Sequence, residues 1–538
     1  MKFFELIKKE SDKPLLKLFL LTALSGLSSA GVLAIINLAA KDVSKDSINI
    51  SYILMFTSTV GIFVTSQKYI LSAGINIIEE ILNNIRLRLS DKIRKTDLFN
   101  IEQIGKAEIY NRLTQECTLI SQMAPYIITA LQSAIMLVFV FGYIAILSIF
   151  AAVILVILII IGVFVFHKNN VKVYADLEET NIAEIKFFVS LTNILDGLKE
   201  IKLNRKKSND LYDHFEKISL KLKNLKINTG NKFSENMVFS QAFIYIVLGA
   251  IVFVLPRLKP DMAGAIVSTT TAMLFAIGPL TSLVSMLPVF GKIEIAIKNI
   301  YSLESELDKQ VNPHEVQPIN GENRFSDFQK IVLNDLYFEY KNGDGREPFS
   351  VGPIDLTLTR GEVLFIIGGN GCGKTTFLKS LTMLYRPKTG NIFVDDKIID
   401  SSNYLEYREL YSAIFYDFHL FDKLYGLGKV DAKKINDLLK LMQIQNKTEF
   451  CDNGFTKLDL STGQRKRLAL IVTFLEDKPI YIFDEWAADQ DPQFKQYFYD
   501  DLLKKLKAEG KTVIAVSHDD RYFHLADRII KMEYGKII

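Results

Sequence analysis

Between Val363 and Thr376 the chain reads VLFIIGGNGCGKTT. An apolar run leads into a glycine-rich turn, and Phe377, Leu378 and Leu381 then follow at helical spacing. The pattern G-x-x-x-x-G-K-[ST] is complete at Gly368, Gly373, Lys374 and Thr375. In that order these residues can bind phosphate. Loop N–H groups from Asn370, Gly371, Cys372 and Gly373 face inward, and those of Thr375 and Thr376 open a helix with its positive dipole end. Lys374 is placed to reach β- and γ-phosphates, and the Thr375 hydroxyl to ligate Mg²⁺, so ATP and Mg²⁺ are the expected ligands.

Two later stretches extend the chemistry. Pro479 to Glu485, PIYIFDE, is a continuous apolar run ending in two acids, as a buried parallel strand would. Asp484 there is expected to hold the Mg²⁺ shell, and Glu485 to orient or deprotonate the water that attacks the γ-phosphate. Val513 to His518, VIAVSH, is another such run, and His518 at its end could bond the γ-phosphate and the water. Leu460 to Leu468, LSTGQRKRL, opens a helix with Ser461 as N-cap, Gly463 permitting close backbone approach, and Gln464 beside it. It makes a second anion-binding helix start. Tyr337, Phe338 and Tyr340 end an expected strand about 30 residues before the phosphate loop, where an aromatic ring can stack on adenine.

These motifs occupy the last two-fifths of a 538-residue chain, too long for one core. The whole is 49% hydrophobic and mean hydropathy is +0.18. A net charge of +3 gives no bulk attraction to nucleic acid. Cys117, Cys372 and Cys451 lack metal-ligand spacing and fit free thiols in a reducing compartment. The apolar runs lie before about residue 290: Pro14 to Ala40, Ser51 to Ala73, Met123 to Phe166, Met237 to Leu255 and Met262 to Val289. A span needs about 20 residues, so Met123 to Phe166 is expected to hold two helices with a hairpin near Gly142, giving six spans. Lys and Arg cluster before the first span, after the second (Arg86 to Lys95) and between the fourth and fifth (Lys199 to Lys207), which puts both termini on the cytoplasmic side. Polar residues inside the spans, including Lys68, Asn236 and Ser268 to Thr271, are expected to face a cavity or another helix. Ile77 to Leu98 continues the second span as a projecting helix, and Phe99 to Glu116 is expected to supply a short crosswise helix that touches the ATPase domain. The expected division is a transmembrane domain at 1–300, a linker with Pro313, Pro318 and Gly321 at 301–328, and a nucleotide-binding domain at 329–538.

With the motifs in this order the chain resembles an ABC exporter half-molecule. LSTGQ is similar to the LSGGQ signature, with Thr462 in place of one glycine. YSAIFYDFHLF, FDEWAADQDPQFKQYFYDDLL and SHDDRYFHLADRI resemble the bacterial cyclic-peptide exporters, a family that includes syringomycin, pyoverdine-precursor and microcin-type exporters. The resemblance implies a six-helix transmembrane domain fused to an α/β P-loop ATPase domain, the type IV exporter architecture. It assigns the adenine-stacking role to Tyr340. Asp491 takes the final Asp position of the loop after Glu485. Tyr416 or Asp417 stands where ABC ATPases usually place a glutamine that senses Mg²⁺ and couples to the membrane helices. Each ATP in this class lies between the phosphate loop of one domain and the signature of another. One chain holds one of each, so a homodimer in the bacterial inner membrane is implied. The expected activity is ATP-driven export of a modified or cyclic peptide, or a peptide siderophore precursor, by alternating access. No cysteine-protease domain precedes the first span, so leader cleavage is not expected of this chain. The alternatives are a lipid or amphiphile flippase and a regulatory membrane ATPase that moves no solute.

Overall fold

The structure, a computed structural model, describes residues 2–11, 15–42, 50–254, 257, 263–310, 323–340 and 349–538. The linker around Pro313, Pro318 and Gly321, and the turn from Lys41 to Asp46 beyond Asp42, lie outside the described residues. The chain forms two compact units. One comprises Met1–Asp91 with Ala107–Glu306; the other comprises Lys92–Lys106 with Leu307–Ile538.

The first unit is helical. After α1 (Lys2–Glu10) come α2 (Leu15–Asp42) and α3 (Ile50–Arg94), and α3 runs unbroken for 45 residues through the expected span and its projecting continuation. Next in the chain are the short α4 (Leu98–Ile104), which belongs to the second unit, and α5 (Lys106–Asn111). Then come α6 (Cys117–Leu147), α7 (Ile149–Asp196), the short α8 (Leu198–Leu203), α9 (Arg205–Gly249) and α10 (Ala263–Asp308). Among the described residues four helical stretches, Phe19–Ala40, Ile50–Arg94, Lys106–Leu147 and Val267–Asp308, are long and apolar enough to cross a membrane. Here α2 packs on α6 and α7 on α9, around Leu33, Val140, Ile144, Ala151, Ile244 and Ala272.

The hairpin expected near Gly142 is not there. Gly142 lies inside α6, and the break falls at Ser148, in extended conformation, whose side chain accepts the Ala151 N–H. An N-cap serine satisfies a helix start that a bare glycine leaves open, so the serine sets the boundary. Asn236, Ser268 and Thr269 are buried among the helices, while Lys68 is exposed. Asn37, a polar residue the sequence did not single out, donates to Tyr143 and to the Ser268 carbonyl. Arg88 bonds both Glu10 and Glu304 and so fastens α1, α3 and α10 together.

The second unit is built on a six-stranded sheet in the order β12-β11-β3-β10-β9-β6. Its strands are β3 (Val363–Ile367), β6 (Tyr411–Ile414), β9 (Ile480–Asp484), β10 (Thr512–Val516), β11 (Arg528–Glu533) and β12 (Lys536–Ile537). All neighbours pair in parallel except β11 and β12. Period-two alternation turns each apolar run into two faces. Leu364, Ile366, Ile482, Ile514 and Val516 enter one core, and Val363, Phe365, Tyr481, Phe483, Val513 and Ala515 the other. A second, antiparallel sheet, β2-β1-β4-β5, joins β1 (Lys330–Glu339), β2 (Ser350–Thr359), β4 (Thr389–Val394) and β5 (Lys397–Ile398). Because β10 lies between β3 and β9, the carboxyl ends of three strands converge, the place where open α/β sheets bind ligands.

Candidate nucleotide site

The phosphate loop leaves β3 and enters α11 (Lys374–Leu381). Gly368 adopts φ +149°, and a Cβ there would stand 2.3 Å from the Met532 carbonyl oxygen, so only glycine fits. Asn370 and Gly371 are exposed on the loop and Cys372 is buried beneath it. The Lys374 ammonium donates to the Gly368 and Gly369 carbonyls at 2.9 and 3.0 Å and lies 3.8 Å from the Glu485 carboxylate. At the end of β9, Asp484 is 1% exposed and accepts the Thr375 hydroxyl at 2.7 Å. Burial pushes the Asp484 carboxyl up from its ordinary value, against the lowering effect of the Thr375 bond. A buried carboxylate costly to ionise, beside a hydroxyl oxygen, is the donor set a hard divalent cation relieves, so Thr375 and Asp484 fit Mg²⁺.

Glu485 follows in left-handed conformation, φ +51°, which turns its side chain out of the sheet. Its Oε1 lies 3.1 Å from His518 Nε2, just past β10. A carboxylate, an imidazole and an ammonium thus surround one face of the cradle. The wall behind them is a small cavity lined by Glu485, Ala487, Lys495, Tyr499, Ser517 and His518. Tyr340 lies close by: its hydroxyl is 3.0 Å from the Thr376 hydroxyl.

The signature residues stand on α14, the helix Thr462–Glu476, where α12 is Tyr404–Arg408 and α13 is Ala432–Leu441. Ser461 and Gln464 form a reciprocal capping box. The bonds of Ser461, Gly463 and Gln464 run to one another and to Gln490, whose amide donates to the Gly463 carbonyl. Asp491 caps the next helix, α15 (Pro492–Tyr497), accepts Phe494 N–H, and pairs with the buried Arg467 guanidinium. The Phe494 amide holds its carboxyl below the usual range. The structure therefore gathers the phosphate loop, Asp484, Glu485, His518 and Tyr340, while Ser461 and Gln464 bond each other, Gly463 bonds Gln490, and Asp491 bonds Phe494 and Arg467.

Tyr416 and Asp417 follow β6 and both are exposed. The Tyr416 backbone N–H bonds Asp484, so this segment touches the candidate metal site through its main chain.

Sequence reading passed over the burial of Lys466 and the particular partners that seat α4. Lys466, two residues past Gln464, is buried against the loop after Glu485. Phe99 of α4, within the same compact unit, packs its ring on Phe338, Tyr340 and Tyr385 at 5.2 to 5.7 Å. Glu102 of α4 takes hydrogen bonds from Tyr385 and Lys379, and Asp97 pairs with Arg386. A ring, a carboxylate and a helix start thus seat α4 beside Tyr340. Nothing in the spacing of the charge run RKR at 465–467 marks Lys466 and Arg467 as buried.

The family model described as ABC transporter matches residues 351–488. An ATP-binding protein, SyrD, from Pseudomonas syringae pv. syringae is 32% identical over 98% of this chain and 94% of its own length. An ATP-dependent lipid A-core flippase from Paraburkholderia xenovorans is 22% identical over 86% of this chain and 78% of its own. A bacterial Atm1-family ABC exporter solved with ATP bound superposes with TM-score 0.77 at 14% identity, covering 97% of this chain and 94% of that one.

Proposed function

This chain belongs to the ABC transporter family, with the fold of an exporter whose ATPase domain hydrolyses ATP to drive transport, and from that premise we propose that it exports a modified or cyclic peptide, or a peptide siderophore precursor, across the bacterial inner membrane. The observation that carries the cargo reading is similarity along the full length to SyrD, 32% identical over 98% of this chain.

The proposed chemistry follows from the geometry. The loop N–H groups and the α11 N-terminus hold the triphosphate, and Lys374 exchanges its two loop carbonyls for β- and γ-phosphate oxygens. Thr375 and Asp484 would hold Mg²⁺, which supplies charge neutralisation on those phosphates. Glu485 takes the proton of the attacking water, and His518, 3.1 Å away, fixes the carboxylate's orientation and meets the γ-phosphate. Tyr340 stacks on adenine from the Thr376 end of the cradle. Ser461, Gly463, Gln464 and Asp491 act on the nucleotide of a second copy, since one chain carries one phosphate loop and one signature and each site pairs the two from different copies. ATP joins the two ATPase domains and hydrolysis parts them, switching the helices between inward and outward access, with both termini cytoplasmic.

The lipid A-core flippase relatives favour a second reading, an amphiphile flippase. ATPase activity of the purified protein separates the two. Peptide export predicts several-fold stimulation by cyclic or modified peptides at micromolar concentration, with little response to lipid A-type lipids. The reverse pattern establishes the flippase. A protein indifferent to both is a regulatory ATPase.

A further inference from the structure

Lysine is almost never fully buried without partners, and Lys466 leaves only 2% of its side chain exposed. Its ammonium donates to the Glu485 main-chain carbonyl at 2.8 Å and lies 2.7 Å from the Asp489 carboxylate. The Trp486 indole N–H returns a bond to the Lys466 carbonyl at 2.9 Å. Lys466 therefore grips the residue held at φ +51°, together with the loop that follows it. A positive φ is sparsely populated for a glutamate and persists only where the surroundings impose it. Gly463, one turn earlier on α14, lets this loop approach: a Cβ there would stand 2.6 Å from the Asp489 carbonyl oxygen. The ammonium has one more neighbour, the Tyr416 ring, with its centroid 5.8 Å away. Tyr416 is 65% exposed, so the ring's other face is open to whatever approaches that segment.

We propose that Lys466 is a positioning residue for the Glu485 carboxylate, and that Tyr416 acts on Glu485 through it. The ring, standing near the position where related ATPases carry a coupling glutamine, holds the ammonium; the ammonium holds the Glu485 carbonyl; the carbonyl fixes the direction of the side chain. A movement of the Tyr416 segment then reaches the attacking water without a metal-sensing amide. This rests on the catalytic reading of Glu485 given above. If Glu485→Gln hydrolyses ATP normally, that reading fails; if only the variants below behave normally, this proposal alone fails.

The test uses the full-length purified protein, with steady-state hydrolysis, affinity for a non-hydrolysable ATP analogue, and melting temperature measured for each variant. Lys466→Met, close in volume, is expected to lower kcat about tenfold, the scale of one charge-assisted hydrogen bond, with analogue affinity within about twofold of wild type, so that kcat moves and binding does not. Tyr416→Leu, at an exposed ring where folding is not at risk, is expected to lower kcat about threefold by loss of the cation–π contact, and Tyr416→Phe, which keeps the ring, to lose less. In the double variant Tyr416→Leu adds nothing to Lys466→Met, since its route is already cut. The proposal is overturned by kcat within about twofold of wild type in Lys466→Met, by a parallel collapse of analogue affinity and kcat, which marks a merely structural lysine, or by single effects that multiply in the double variant.

Discussion

Glu485→Gln isolates the proton acceptor from everything else the site does. The amide keeps the shape of the carboxylate, so an oxygen or nitrogen still stands 3.1 Å from His518 Nε2. The Gly368 and Gly369 carbonyls that hold Lys374, and the Thr375–Asp484 bond, are untouched. The substitution also removes the negative charge 3.8 Å from the Lys374 ammonium, which frees that ammonium for phosphate, so ATP affinity should hold or tighten. What is lost is general-base assistance, worth roughly 10²- to 10⁴-fold in rate, or about 3 to 5.5 kcal/mol of barrier. Phosphate release under saturating MgATP reads the rate, and equilibrium binding of radiolabelled ATP to the same preparation reads the cradle. Expected is hydrolysis down at least a hundredfold with binding intact. Hydrolysis within tenfold of wild type would remove Glu485 from the proton-transfer role and pass it to His518 or to solvent. Loss of binding along with hydrolysis would show that the residue supports the cradle instead.

Lys374→Ala and Ser461→Arg each disable every site of a homodimer whose sites form between chains, yet a verified mixed dimer keeps one intact phosphate loop facing one intact signature; it should regain vanadate trapping of nucleotide at one site, and no recovery would refute the inter-chain arrangement. Cys451 is exposed while Cys372 is buried under the phosphate loop, so maleimide should label Cys451 first without loss of activity. Slower labelling of Cys372 should inactivate and be blocked by MgATP, and equal inactivation of Cys372→Ala would exclude that thiol. Arg521 holds the Asp519 carboxyl well below the ordinary carboxylate range, aided by Lys495 and opposed by burial. A depressed folded-state value adds stability above the unfolded value of about 3.9 and loses it as the pH falls further. The gap in melting temperature between wild type and Asp519→Asn should therefore narrow from about pH 5 to about pH 2.5, and a constant gap would deny the ion pair that role.

The phosphate cradle was legible because it is local: fourteen consecutive residues contain the strand, the glycines and the helix start. The acids at the end of β9 and the histidine after β10 were legible because buried parallel strands leave apolar runs whose ends can be counted. Other features depend on a single side chain or on residues far apart in the chain. The α6–α7 boundary hangs on one serine side chain and not on the glycine that catches the eye six residues earlier. The choice between Tyr416 and Asp417 stayed open because it turns on a backbone bond to Asp484 and a ring over Lys466. Lys466 and Arg467 look like solvated charges until the loop from Glu485 to Asp491 is laid over them. The stretch from Phe99 was expected to touch the ATPase domain, but nothing near it in the chain pointed to Phe338, Tyr340 and Tyr385, more than 200 residues away, as its partners.

Inverted inner-membrane vesicles from cells expressing the chain test the transport claim directly, with a panel of radiolabelled cyclic and modified peptides supplied outside. The account predicts ATP-dependent accumulation of at least one peptide in the lumen, released by osmotic shock and abolished by Glu485→Gln. Vesicles whose ATPase is intact, that accumulate none of the panel, and whose ATPase answers only to lipid A-type lipids would contradict peptide export.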